Sequence, residues 1–259
     1  MIAVISPAKT LDFENEIQFD SHTLPRFSTQ TNKLIREMRQ RKEEELMSMM
    51  DVSENIAQLN VKRYKNYRQQ HSLDNSRPSV HAFKGDVYIG LDVDQLDSSD
   101  FEFAQSHLRI LSGLYGLLRP MDIIQPYRLE MGTSVSIGDY TSLYGYWGDQ
   151  IVKLMHKDLK EQEDEIIVNL ASKEYFKALN RKRLKARVIN VDFLDFNKND
   201  YKVISFFAKK ARGMMARYII KNRISNPEDL KGFDYEGYYF EPTNSKDNHL
   251  VFRRDQTKN

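Results

Sequence analysis

The sequence predicts a single mixed α/β domain spanning residues 1–259, α+β in character, built on a central mixed sheet. Three observations carry that expectation. Segments with helical spacing of apolar residues alternate with strand-like apolar segments from one end of the chain to the other. No stretch rich in Gly, Pro or Ser divides the 259 residues, and no internal repeat or low-complexity segment is present. Apolar residues make up 40% of the chain, enough for one sizeable core, and 29% are charged, as in an ordinary soluble protein.

The elements follow in order. Residues 1–6 read as a short buried strand ended by Pro7. Residues 29–50 read as one helix, with Leu34, Ile35, Met38, Leu46 and Met49 at apolar positions, and residues 53–70 as a second, carrying Ile56, Leu59, Tyr64 and Tyr67. After a break at Pro78, residues 80–91 read as a hairpin turning near Lys84-Gly85-Asp86. Ser99 and Glu102 form the S-x-x-E signature of a capping box, followed at helical spacing by Phe101, Ala104, Leu108 and Leu111. Gly113 then stands where a left-handed residue would close that helix. The aspartates Asp92, Asp94, Asp97 and Asp100 lack the glycine and terminal glutamate of an EF-hand and read as a solvated turn before it.

Asp149 caps a helix running through Leu159, residues 165–171 form an apolar strand, and Ser172 caps a helix to about Lys185. Residues 187–196 and 201–207 read as strands. Residues 208–222 read as a helix with Ala211, Met214, Met215, Tyr218 and Ile219 on its apolar side. Asn226 before Pro227 opens a short helix ending at Gly232. Residues 238–240 and 250–253 pair as a closing hairpin.

Composition removes several kinds of chemistry. With no cysteine there is no disulfide, thiolate metal site or thiol peroxidase. No two of the six histidines lie three to five residues apart, so no local pair marks a metal site, and no metal or cofactor is expected. No apolar run approaches the roughly 18 residues of a membrane span, and the first residues lack the basic region and cleavage site of a signal peptide. A cytosolic monomer without membrane contact is the expectation. The formal net charge is only +2, yet fifteen Lys/Arg against four Asp/Glu between Lys173 and Arg223 leave a local excess of eleven positive charges. Such a segment can bind a polyanion, or it can be a set of solvated helix faces.

Five segments could carry chemistry. Ser6-Pro7-Ala8-Lys9-Thr10 follows the first strand with a lysine and hydroxyls suited to phosphate, though without P-loop glycines. Gly113 and Gly116 could shape a tight hairpin between two helices, with backbone N–H groups free for phosphate. Asp122, Arg128 and Glu130 sit among apolar residues, either as a structural ion-pair network or with Glu130 as a general acid or base beside Arg128. Asn169, Ser172 and Lys173 stand where a buried strand runs into a capped helix, a common place for ligands in open α/β sheets. On the helix over residues 208–222 and the residues just around it, Lys210 and Arg217 share nearly one face, while Lys209, Arg212 and Ala216 share an adjacent stripe.

Longer strings run through these segments. Ser6-Pro-Ala-Lys-Thr-Leu-Asp12, Phe83-Lys-Gly-Asp-Val-Tyr88, Leu111-Ser-Gly-Leu-Tyr-Gly-Leu-Leu-Arg-Pro120, Gln125-Pro-Tyr-Arg-Leu-Glu-Met-Gly132, Asn169-Leu-Ala-Ser-Lys-Glu-Tyr175, Ala208-Lys-Lys-Ala-Arg-Gly-Met214 and Phe233-Asp-Tyr-Glu-Gly-Tyr238 occur in this order. Together they resemble the signature segments of the YaaA family of bacterial peroxide-stress proteins. The resemblance implies a mixed α/β single domain of unusual topology and a role in limiting iron-driven damage during hydrogen peroxide stress. It further implies DNA binding, to duplex or branched forms, through a basic cleft and a helix-hairpin-helix element. That element maps around Gly113 to Gly116. It would place Gly113, Tyr115, Gly116 and Arg119 at the DNA together with Lys209, Lys210, Arg212 and Arg217. Base-edge readout is not expected, so sequence specificity should be small. The rival reading is an enzyme acting on a nucleobase, nucleotide or modified nucleic acid in a pocket near Lys9, Glu130 and Asn169, with Ser6, Ser172 and Lys173 holding phosphate. A third, direct iron sequestration, has no clustered ligand set behind it.

Overall fold

A computed structural model describes residues 1–17, 21–179 and 182–255. The chain starts with β1 (Ile2–Ile5), fully buried as its unbroken apolar run requires, and β2 (Thr10–Leu11). Three helices follow: α1 (Ser28–Met38), α2 (Glu43–Met50) and α3 (Glu54–Asn66). The single helix expected over residues 29–50 is therefore two. Arg39 closes α1, and Lys42 opens α2, its backbone amide donating to the Glu45 carboxylate at 2.8 Å. Next come β3 (Arg77–Pro78), α4 (Ser79–Ala82), β4 (Phe83–Lys84) and α5 (Asp86–Leu91). This corrects the hairpin expected over residues 80–91: Gly85 at the turn leads into a helix, and β4 pairs back with β2.

Helix α6 (Ser98–His107) is capped by Asp97 and Asp100, not by Ser99 and Glu102. It stops at His107, and Leu108–Ser112 continues as strand β5. Gly113 is accordingly not a helix stop. It opens a β-hairpin whose second arm is β6 (Gly116–Leu118), with Ser112 opposite Gly116. The helix-hairpin-helix expected here is a strand-hairpin-strand. All its residues from Leu108 to Leu118 are buried, and backbone pairing within the sheet satisfies them better than helical ends would. The strand β7 (Ile123–Ile124), α7 (Leu143–Trp147), α8 (Gln150–Glu161), β8 (Ile166–Leu170) and α9 (Lys173–Phe176) follow. Ser172 caps α9 as expected, accepting from the Tyr175 amide, though α9 is short and passes into a 3-10 turn ending at Leu179. The last elements are β9 (Arg187–Asn197), β10 (Asp200–Lys202), the long α10 (Ser205–Lys221), β11 (Tyr238–Phe240) and β12 (His249–Arg254). Only the first two residues of the strand expected at 201–207 are strand, because α10 begins at Ser205. The closing hairpin of β11 and β12 forms as expected.

The main sheet runs β11-β12-β9-β8-β1-β5-β6, with β10 paired to β9. It is mixed: β1 lies parallel to β5 and to β8, β8 parallel to β9, and β9 parallel to β12, while β6, β10 and β11 add antiparallel edges. The chain leaves β1 toward β5 on one side and later returns to β8 on the other. The carboxyl ends of β1 and β8 thus flank a topological switch point, where open parallel sheets leave a crevice. Helix α10 packs over the sheet and against α5, and Gly90 and Gly213 bring their backbones into direct contact.

Candidate functional site

At that switch point Ser6 lies one residue beyond Ile5 of β1, and Ser172 two residues beyond Leu170 of β8, the register partner of Ile5. The Ser172 amide donates to Ser6 Oγ at 2.9 Å, and Ser6 Oγ lies 3.4 Å from Ser172 Oγ. The Tyr88 hydroxyl donates to the Ser6 carbonyl at 3.2 Å, which ties α5 to the end of β1. These contacts frame a cavity of about 350 Å³. Its apolar walls come from Val87, Tyr88, Leu170 and Tyr175. Burial pushes the Tyr88 and Tyr175 phenols well above their ordinary range, so both stay neutral donors.

Four cations face the same cavity: Lys9, Lys84, Lys209 and Arg212. The three lysines are the exposed ones, at 69%, 61% and 53% of their side-chain surface. Each has one distant acid: Glu130 at 3.6 Å from Lys9, Asp12 at 3.5 Å from Lys84, and Asp86 at 3.8 Å from Lys209. Among the described residues Arg212 has no carboxylate within ion-pair distance and no hydrogen-bond acceptor. Burial pushes its guanidinium pKa down, with Asp192 opposing at longer range.

Glu130 also lines the cavity. Its Oε1 accepts from Arg128 Nε at 3.0 Å and pairs with Arg128 NH2 at 2.9 Å, so Arg128 serves to hold Glu130. Its Oε2 is buried with no protein donor. Glu174, on the other wall, accepts from the Gly132 amide at 2.9 Å. Asp12, beyond the rim, sits at about 2, held down chiefly by the Asn15 amide against the opposing effect of burial.

The remaining expected site residues lie elsewhere. Asn169 turns toward Asn190, donating at 2.9 Å, and accepts from the Ala171 amide, so it braces the end of β8 without lining the cavity. Lys173 is exposed at the start of α9, outside the cavity lining. Gly113, Tyr115 and Gly116 belong to the core: the Gly113 carbonyl accepts from Trp147 Nε1 at 2.9 Å, and the Tyr115 hydroxyl accepts from the Gln125 amide at 3.0 Å. Arg119 is bound to Asp122 at 2.8 Å within its own turn. On α10 the two stripes part as their spacing predicts. Lys209 and Arg212 face the cavity, whereas Lys210 pairs with Glu236 and Arg217 with Asp92 at 2.6 Å in a neighbouring cleft.

The aspartate turn also differs from expectation. Asp100 is buried, clamped between Lys221 at 2.7 Å and Arg223 at 2.6 Å. Burial alone would raise its pKa, but these hydrogen bonds hold it below the usual carboxylate range. Among the described residues no group of three histidines or carboxylates is placed to hold a metal ion, and no helix is long and apolar enough to cross a membrane.

Lys84, Asp86, Tyr88, Glu174 and Tyr175 were not singled out by sequence reasoning. Each nevertheless falls within one of two strings quoted above, Phe83–Tyr88 or Asn169–Tyr175, which is the available signal. A family model described as peroxide stress protein YaaA matches residues 1–244.

Proposed function

The chain belongs to the peroxide stress protein YaaA family, and from that premise we propose that it acts in the cytosol as a DNA-binding protein. DNA meets it at the mouth of the switch-point cavity, not at the Gly113–Gly116 hairpin. One observation carries this reading. Three exposed lysines and an unpaired arginine converge on one opening, while Lys210 and Arg217 on the same helix are neutralised by close acids. Phosphates displace the long lysine–carboxylate contacts, so binding is electrostatic and largely independent of sequence. DNA held there and left uncleaved is shielded from iron-driven oxidation.

The test is fluorescence anisotropy with 20-base-pair duplexes of unrelated sequence across a salt series. Three to four neutralised phosphates give a slope of log K against log salt of roughly −3 to −4. Lys9→Ala, Lys84→Ala and Lys209→Ala should each flatten that slope by about one, and Lys210→Ala with Arg217→Ala should not. A flat salt response, or a slope that depends on Lys210 and Arg217 instead, contradicts the proposal.

A further inference from the structure

The closed end of the cavity has chemistry that the rim lysines do not explain. Ser172 and Arg212 present free donors there, set against one free acceptor, the buried Oε2 of Glu130. Ser172 Oγ receives the Ser6 hydroxyl at 3.4 Å and the Tyr175 amide at 3.4 Å, which leaves its own proton with no acceptor among the described residues. Arg212 brings a forked set of N–H donors to the same cavity, also with no acceptor among the described residues. The three wall carboxylates are each engaged: Glu130 with Arg128 and Lys9, Asp86 with Lys209, and Glu174 with the Gly132 amide. A partly buried arginine without a counter-ion is costly, and its planar fork fits a tetrahedral oxyanion.

We propose that this closed end is a binding site for a phosphate monoester, with Arg212 and the Ser172 hydroxyl holding the phosphate and Lys9, Lys84 and Lys209 adding charge from the rim. The donors favour a monoester, whose phosphate presents three terminal oxygens where an internal phosphodiester presents two. Geometry points the same way. A cavity of about 350 Å³ that ends at Ser6 and Ser172 admits a chain end or a free nucleotide-sized molecule. The apolar walls of Val87, Tyr88, Leu170 and Tyr175 then flank whatever the phosphate carries.

Two sources supply this group: a free phosphorylated metabolite, or the 5′-phosphate at a DNA break. For the second source the inference rests on the DNA reading; for the first it does not. The experiment separates them. One arm titrates the protein calorimetrically with AMP, adenosine and inorganic phosphate. The other compares binding of one 20-base-pair duplex with 5′-phosphate or 5′-hydroxyl ends at fixed salt. Charge-assisted hydrogen bonds of this kind predict a preference for the phosphorylated member of roughly tenfold or more in at least one arm. Arg212→Ala should abolish the preference, and Arg212→Lys, which keeps the charge but not the fork, should restore part of it. Wild-type comparisons decide the matter even if a variant folds poorly. Preference for AMP alone assigns a free metabolite, preference for 5′-phosphate ends alone assigns strand breaks, and both together assign both. No preference in either arm overturns the proposal, as does a preference that survives Arg212→Ala in folded protein. Either result leaves the DNA reading standing if salt-dependent duplex binding persists.

Discussion

Replacing Gly213 with alanine should destabilise the protein through one contact. A Cβ at Gly213 would stand 1.8 Å from the Val87 carbonyl oxygen and 2.7 Å from the Leu91 nitrogen. The contact is reciprocal, since a Cβ at Gly90 would stand 2.0 Å from the Lys210 carbonyl oxygen. Both partners are backbone, so no side chain can swing aside. Ordinary van der Waals contact begins near 3.4 Å, so α5 and α10 must separate by more than an ångström to admit one methyl group. Overpacking costs typically about 1–3 kcal/mol, occasionally more, and with backbone on both sides of the clash about 3–4 kcal/mol applies here. Against it stands a gain of about 1 kcal/mol, because alanine favours a helix interior over glycine. The net expectation is a loss of roughly 2–3 kcal/mol, or about 4–12 °C in melting temperature for a chain of this size. Calorimetry and urea denaturation measure it. Helix α5 carries Val87 and Tyr88 and α10 carries Arg212, so the cavity should widen and binding weaken even where the variant stays folded. A Gly213→Ala variant melting within 2 °C of the wild type, a shift of under about 1 kcal/mol, would refute the reasoning.

Four further outcomes follow from burial, charge and backbone conformation. Asp158, only 1% exposed, bridges Arg109 at 2.6 Å and Arg26 at 2.5 Å, so Asp158→Ala strands a buried arginine and should cost about 3–5 kcal/mol in urea denaturation; a loss under about 1 kcal/mol would count against it. Gly116→Val meets both a φ of +72° and ring carbons of Phe27 and Trp147 at 2.9 Å, and should lower the melting temperature sharply, while DNA affinity per folded molecule stays unchanged because the hairpin is core. Burial pushes the imidazoles of His71, His81 and His107 below their ordinary 6.5, so they stay neutral in the fold when the unfolded chain already takes up protons. Stability should therefore be full above pH 6.5 and decline as pH falls from there toward the folded-state values. A second decline should begin below about pH 4, where the unfolded chain protonates Asp12, Asp158 and Asp164 while the fold holds all three carboxyls ionised. Melting temperatures from pH 8 to 3 test both, and a flat profile between 6.5 and 5 would contradict the histidine assignment.

Legibility in the sequence followed the kind of signal each element carries. Strands β1 and β8 were readable because short apolar runs end at Pro7 and at the Ser172 cap. The two stripes of α10 were readable because helical spacing fixes faces without any tertiary knowledge. Strand β5 was not readable. Leu108-Arg109-Ile110-Leu111-Ser112 is buried on both faces, so it lacks the alternation of a half-exposed strand, and Leu108 and Leu111 happen to extend the spacing of α6. Its arginine is satisfied by Asp158, 49 residues away, which no local pattern reveals. The same distance problem hid half the site. Ser6, Lys9, Ser172, Lys209 and Arg212 stand out locally, but that Lys84 joins them depends on β4 pairing with β2, and that Tyr88 does so on α5 docking onto α10.

That docking gives a physical reason for glycine within Ala208–Met214. Arg212 precedes Gly213 by one residue, and Tyr88 precedes Gly90 by two. With both glycines in place, α5 lies close enough for the Tyr88 hydroxyl to reach the Ser6 carbonyl while Arg212 faces the same cavity from α10. A side chain at either glycine would move these two walls apart together. The width of the cavity is therefore set by a backbone contact outside it. Substitutions at Gly90 or Gly213 should consequently alter ligand affinity without touching any group that meets the ligand.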